Sequence, residues 1–301
     1  MENAPAPETA TKSPNNDKTL ALVLGLSMLF VGICGISYEY TFSRLGSDIL
    51  GDSVKQWAIT IGLMMFFMGI GADLQKHLPD ELNVDNFIFL EVLLGLLGGI
   101  GPTVSLYAFG HFHNYFILFH YFFICAIGLM IGLEIPLLTR VNQKTVPSLK
   151  HNLGLILKMD YIGSFLGAMI WVFLLPLFFN ILEISFFLGL INVGVALFTW
   201  IWFHGWMKYP KAIPIFALCV IALLLVGLLN GKKITTTAEQ KLYRDTIIHT
   251  RTTPYQRIVV TQSRSGDYNL FINGHLQFSS IDEHIYHEFL VHPVMSATPV
   301  H

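Results

Sequence analysis

The sequence predicts an α-helical multi-span membrane domain, with about seven transmembrane helices, followed by a small antiparallel β-domain. Three observations carry that prediction. Apolar residues make up 53% of the chain and charged residues 13%, against about 45–50% and about 25% in soluble domains. About seven segments reach the roughly 20 mostly apolar residues that a helix needs to cross a bilayer. Past Gly231 the composition turns polar and the apolar residues begin to alternate.

Residues 1–18, MENAPAPETATKSPNNDK, are rich in Ala, Pro, Asn and Thr and lack the basic start of a signal peptide, so they read as a disordered tail. The membrane domain is expected over 19–231, with spans at 19–41, 54–74, 86–109, 114–138, 160–179, 184–205 and 212–230. Long unbroken apolar runs without polar alternation exclude a membrane barrel, and a helix satisfies its own backbone in lipid. Gly95 with Gly99, Gly128 with Gly132 and Gly163 with Gly167 are small residues four apart, the spacing that lets two helices approach closely. GLLGGIG, residues 95–101, lacks the GxGxxG spacing and sits inside a span, so it reads as packing rather than as a nucleotide loop. Trp171, Trp202 and Trp206 lie near span ends and read as interfacial anchors.

The net charge of −2 gives no basic field to draw nucleic acid. Cys34, Cys125 and Cys219 each stand alone in an apolar run, without a CxxC pair or a His at ligand spacing, so no disulfide framework and no metal site is expected. Charge also bears on orientation. Seven spans with the N-terminus inside place Arg140, Lys144, Lys150, Lys158, Lys208 and Lys211 inside, as the positive-inside rule prefers, and the C-terminal domain outside. Lys232, Lys233, Lys241 and Arg244 argue the other way.

Residues 232–301 form the second domain. TTTAEQKLYRDTIIHT reads as a short helix or linker turning into a strand, YQRIVVTQ as a second strand, and NLFI-NG-HLQFS as a hairpin closed by an Asn-Gly turn. SIDEHIYHEFLVHP follows as a helix. Ser280 is placed to cap it, Asp282 and Glu283 fall in its first turn, and Pro293 ends it just past His292. Ile285, Phe289 and Leu290 form its expected core-facing stripe.

These last segments carry a resemblance. TPYQRIVV, then LFINGHLQFSSIDE, then YHEFLVHP resemble the N-terminal β-domain of the spermidine synthase, or polyamine aminopropyltransferase, family. GDSVKQWAITIGLMMFFMGIGADL, EIPLLTR and MDYIGSFLGA resemble the multi-span domain of its membrane-fused form. The resemblance implies polyamine biosynthesis: transfer of an aminopropyl group from the co-substrate decarboxylated S-adenosylmethionine to an amine such as putrescine, with no prosthetic group. It implies that Gln256 contacts the nucleoside end of the donor or of the methylthioadenosine product, since an amide both donates to and accepts from ribose hydroxyls. Tyr286 and His287 would line the amine groove, an aromatic face and an imidazole acceptor suiting a flexible ammonium. Asp282 and Glu283 read rather as first-turn acids that stabilise the helix. His275, His284 and His292 have no ligand spacing. The resemblance further implies a cell-membrane, multi-pass location in the lipid bilayer with the β-domain on the cytoplasmic side, spermidine and methylthioadenosine as ligands, and a homodimer.

Family members continue into a Rossmann-like domain whose Gly-Gly-Gly-Asp-Gly loop, ribose-binding acid and catalytic Asp do the chemistry. None of these lies before His301. The chain is therefore expected to be a truncated, N-terminal portion, catalytically inactive alone, because deprotonating the amine needs a base that it lacks.

A rival reading rests on the membrane acids. A charged carboxylate inside a span costs roughly 2.5–3.5 kcal/mol on insertion scales. Glu39, Glu134 and Glu183 are expected near the interface, capping or snorkelling. Glu91 and Asp160, the latter beside Tyr161 and the Gly163/Gly167 seam, remain as a membrane polar site, which would suit a polyamine-responsive transporter or scaffold with a remnant synthase β-domain.

Overall fold

The computed structural model describes residues 14–111, 115–143, 145–146, 148–253 and 256–297. Residues 1–13 of the expected tail, Lys144, Pro254, Tyr255 and His301 lie outside them. The remainder of that tail is helical: α1 spans Pro14–Leu50. Proline costs nothing in a first helical turn, and the apolar run behind it propagates the helix outward.

The helices α2 (Ser53–Leu74), α3 (Asn83–His111), α4 (Phe116–Asn142), α5 (Leu149–Phe173), α7 (Ile181–Phe203) and α8 (Ala212–Leu229) follow, with a four-residue α6 (Leu175–Phe178) between α5 and α7. Among the described residues seven candidate spans result, Lys18–Leu50, Ser53–His77, Asp80–Gly110, Phe116–Asn142, Leu149–Phe178, Ile181–Trp206 and Ala212–Leu229, each containing most of a run read from the sequence.

The glycine pairs set the bundle's order. Lipid tails are as apolar as leucine, so helices gain by close packing and not by burial from water. α5 lies along α1, α4 along α2 and α3 along α7. A Cβ at Gly163 would strike the carbonyl oxygen of Leu29, and one at Gly167 would stand 2.6 Å from that of Ile33. A Cβ at Gly132 would strike the carbonyl oxygen of Met68, and one at Gly128 would lie 2.8 Å from that of Met64. Gly95 faces the carbonyl oxygen of Gly189 in the same way, at 2.7 Å. Polar crosslinks add direction. Ser27 and Thr199 share a hydrogen bond of 3.0 Å between α1 and α7, and Ser185 donates to the Gly99 carbonyl at 2.9 Å. Asn142 donates to Asn152 at 2.8 Å, tying α4 to α5.

Trp171 is not an interfacial anchor. It is 8% exposed and donates its indole N–H to the Thr41 hydroxyl at 2.9 Å, with the Tyr40 ring edge-on to it at 5.5 Å. The buried hydroxyl of α1 gives the indole N–H a partner that water would otherwise supply.

Beyond α8, α9 (Gly231–Glu239) leads into four antiparallel strands in sequential order: β1 (Thr246–Thr252), β2 (Arg257–Gln262), β3 (Tyr268–Ile272) and β4 (His275–Ser279). β3 and β4 are joined by the expected two-residue turn. Asn273 has φ 49° and Gly274 φ 81°, the left-handed pair that a type I′ hairpin needs and that Asn-Gly supplies at least cost.

The last helix, α10 (Glu283–Ala297), departs from expectation at three points. Pro293 lies inside it, since a proline forfeits its own backbone bond without obliging the chain to stop there. The Ser280 hydroxyl accepts from the Tyr268 backbone N–H at 2.8 Å and so serves β3 instead of the helix start. Ile285, Phe289 and Leu290 are exposed, at 50%, 78% and 59%. The described residues provide no surface for that stripe to pack on.

Candidate functional site

Two places concentrate polar side chains that the fold has brought together from distant positions. The first is a cavity of about 260 Å³ where the sheet meets the end of the bundle, walled by the ends of α1, α5 and α7, by α9 and by the start of β2. Two ion pairs hold its walls. On α1, the Arg44 side-chain N–H donates to Asp48 at 3.0 Å. Between sheet and bundle, the Arg257 guanidinium grips Glu239 with both oxygens engaged, Nε to Oε1 at 3.1 Å and Nη2 to Oε2 at 2.6 Å. Forked pairing of this kind fixes direction as well as distance.

Gln256 lies on this wall. Its backbone N–H donates to the Thr253 hydroxyl at 3.0 Å, and its carbonyl oxygen accepts from the Thr253 backbone N–H at 2.9 Å. Asn273, at the hairpin turn, accepts from the Arg257 backbone N–H at 2.8 Å, so the turn of one hairpin steadies the start of β2. Tyr243 completes the wall, its ring 4.7 Å from that of Phe271.

Burial and, after it, the Glu239 charge push the Tyr243 hydroxyl from its ordinary value of 10.0 up to about 12, with Arg257 pulling the other way. A raised folded value stabilises the fold fully below pH 10 and loses that contribution as pH climbs towards 12. Tyr243→Phe is expected to remove this alkaline slope. Chemical denaturation at stepped pH checks it, and an unchanged slope would show that the hydroxyl is not held there.

Tyr286 and His287 do not reach this cavity. They sit on the exposed face of α10, their rings 5.7 Å apart, with His287 6.1 Å from Phe278. The structure thus places Gln256 in a pocket and leaves the two expected amine-binding residues on a separate surface.

The second place is inside the bundle. Glu91 on α3 is fully buried and accepts from the Asn192 amide of α7 at 2.9 Å. Glu134 on α4 is also fully buried, and its side chain interacts with that of Glu91. Glu134 is therefore not at the interface: it shares the inner stripe of α4 with Ile127, Met130, Leu137, Leu138 and Val141, spaced at helical intervals. From α1, Tyr38 and Cys34 both lie within the electrostatic reach of the pair, and Asp160 of α5 acts on Glu134. Asp160 is itself half-buried against Gly32, where a Cβ would stand 2.9 Å from its Oδ1. Tyr161, next in sequence, is 68% exposed on the outside of the bundle, since consecutive helical residues point about 100° apart. Glu183 forms a capping box with Asn180 at the start of α7, and Glu39 is half-buried. Sequence reading passed over Tyr38 and Asn192. Tyr38 stands one turn beyond Cys34 on the inner stripe of α1, while Asn192 is marked only as an amide inside the apolar run of α7.

Two unit charges about 4 Å apart repel by about 4 kcal/mol even at an effective dielectric near 20. Among the described residues no Lys or Arg acts on either glutamate. The pair is an acidic site without a protein counter-ion among the described residues.

Seven apolar helices with a four-stranded sheet docked on one end define a multi-pass membrane protein that carries a small β-domain at its surface. Its relatives narrow the class. The chain is 37% identical over 283 residues to the polyamine aminopropyltransferase of Leptospira interrogans, a match covering 92% of this chain and 55% of the relative. It is 37% identical over 290 residues to that of Oceanobacillus iheyensis, covering 93% and 55%. It is 34% identical over 277 residues to polyamine aminopropyltransferase 2 of Aquifex aeolicus, covering 91% and 54%. The chain is a homologue of the polyamine aminopropyltransferases over more than nine-tenths of its length, aligned with the N-terminal portion of those proteins, and it spans a little over half of theirs. No family model matches it, and no solved structure matches it significantly.

Proposed function

We propose that this chain is the membrane and β-domain portion of an enzyme that transfers an aminopropyl group from decarboxylated S-adenosylmethionine to an amine such as putrescine. The observation that carries the reading is the homology: its relatives are named polyamine aminopropyltransferases, and the likeness covers more than nine-tenths of the chain, bundle and sheet together. Gln256, held on the pocket wall by Thr253, would address the ribose of the donor or of methylthioadenosine. Tyr286 and His287, on the exposed face of α10, would meet the amine at a surface completed by a further portion such as the relatives possess. That portion would supply the general base and the donor loop, and the product amine would be spermidine when the acceptor is putrescine. The bilayer anchors the enzyme, and pairing of β-domains would give a homodimer.

The reading puts the sheet on the cytoplasmic side. In the structure Lys76 and Arg140 stand at the opposite end of the bundle, Lys76 paired with Asp73, and Arg140 with Asp80 and the Leu78 carbonyl. Arg264→Cys, in the exposed turn between β2 and β3, is expected to react with an impermeant maleimide only after cells are lysed. Labelling in intact cells would place the sheet outside and remove it from the substrates.

A second reading, a polyamine-responsive transporter or scaffold, is favoured by the buried carboxyls of Glu91 and Glu134 with the half-buried one of Asp160. Vesicles containing the purified chain decide between them. The enzyme reading expects no uptake of labelled spermidine; uptake that Asp160→Asn abolishes would establish the second reading instead.

A further inference from the structure

We propose that Glu91 and Glu134 form a proton-binding site inside the bundle, in which one exchangeable proton is shared between the two carboxyl groups. The site is built from four helices. Both glutamates are fully buried and interact side chain to side chain, yet Oε1 of Glu91 and both oxygens of Glu134 have no hydrogen-bond donor. Ionised carboxylates accept and cannot donate, so two of them facing each other must leave oxygens orphaned. A single proton changes one into a donor and satisfies the facing oxygen of the other, the arrangement by which two close carboxyls hold one proton.

A second, independent observation points at the same spot. The Tyr38 hydroxyl and the Asn192 Oδ1 are fully buried and unpartnered, and both belong to side chains that act on the pair. Tyr38 is brought there because Gly98 on α3 leaves room for its ring, which a Cβ at that position would strike. Asn192 already donates one amide hydrogen to Glu91, which marks Glu91 as the partner that keeps the negative charge and Glu134 as the one that carries the proton. The other groups facing the pair are Cys34 on α1 and Asp160 on α5. None is a cation. Both carboxyl groups are closed off from solvent among packed helices, a setting in which a proton is the smallest charge that can satisfy them.

Infrared spectroscopy of the full chain in lipid nanodiscs at neutral pH tests this. The carbonyl stretch of a protonated carboxylic acid is expected, shifting on exchange into deuterated water because the proton is exchangeable. Glu134→Gln should abolish the band, Glu91→Gln should shift it, and Asp160→Asn should leave it in place. The proposal is overturned if the wild-type chain shows no such band, if Asp160→Asn removes it, or if sodium or ammonium salts eliminate it, which would mean that a cation occupies the pair. Should either glutamine variant fail to fold, the wild-type band and its response to deuterium and to salts still decide the matter.

Discussion

Gly132→Leu is expected to destabilise the bundle by about 3 kcal/mol and to leave little monodisperse protein in detergent. At this position α4 rides directly on α2: a Cβ would strike the Met68 carbonyl oxygen and lie 2.7 Å from its carbonyl carbon and from its Cα. Those are backbone atoms, which cannot swing aside as the tip of a side chain can. The helices would have to separate along the seam, losing the close van der Waals contact that holds helices together where burial from water contributes nothing. Gly128, one turn earlier, touches the Met64 backbone in the same way, so the damage would spread along the interface. Gly62→Leu is the control, because nothing stands within 4 Å of a Cβ there. Thermal denaturation in detergent compares them. Equal behaviour of the two variants would show that the α2–α4 seam is not packed as described.

Glu239→Ala is expected to release the sheet from the bundle while leaving the bundle intact. The Arg257–Glu239 pair joins β2 to the end of α9, with the two side chains only 19% and 12% exposed. Removing one member of a fully buried pair costs about 3–5 kcal/mol because the remaining charge stays desolvated. Here some water reaches both groups, so the expected cost is about 2 kcal/mol, felt locally. Limited proteolysis between α9 and β1 should accelerate several-fold, with the bundle's thermal transition unmoved. Glu239→Leu combined with Arg257→Met should cost less than Glu239→Ala alone, since no charge is then stranded. Protease resistance equal to that of the unaltered chain would mean that other contacts dock the sheet.

The spans and the hairpin were legible because their signals are local. Twenty apolar residues suffice for a span, and Asn273-Gly274 sets its own turn by backbone preference alone. What the sequence left open was which way side chains face. Glu134 sits in EIPLLTR, eight residues before the end of α4, and looks interfacial until its helical phase is matched with Ile127, Met130 and Leu138. Asp160 and Tyr161 are neighbours in the chain and point to different surroundings. Ile285, Phe289 and Leu290 repeat as a core stripe does, but periodicity shows only that a face is apolar and not what covers it. The pocket at Gln256 was beyond reach for another reason: Arg44, Trp171 and the segment holding Glu239 and Gln256 are separated by many tens of residues, and only the docking of sheet on bundle assembles them.

The most direct measurement is aminopropyl transfer from decarboxylated S-adenosylmethionine to putrescine in lipid vesicles, made with the 301-residue chain alone and with the same chain joined to the remaining portion of the Leptospira relative. The expected result is no turnover by the chain alone and membrane-bound turnover by the joined protein, with the apparent KM for the donor raised about tenfold by Gln256→Ala, the equivalent of about 1.4 kcal/mol for a lost ribose contact. Turnover by the chain alone, or a joined protein that works equally well without Gln256, would contradict the assignment of this chain as the membrane and donor-facing portion of an aminopropyltransferase.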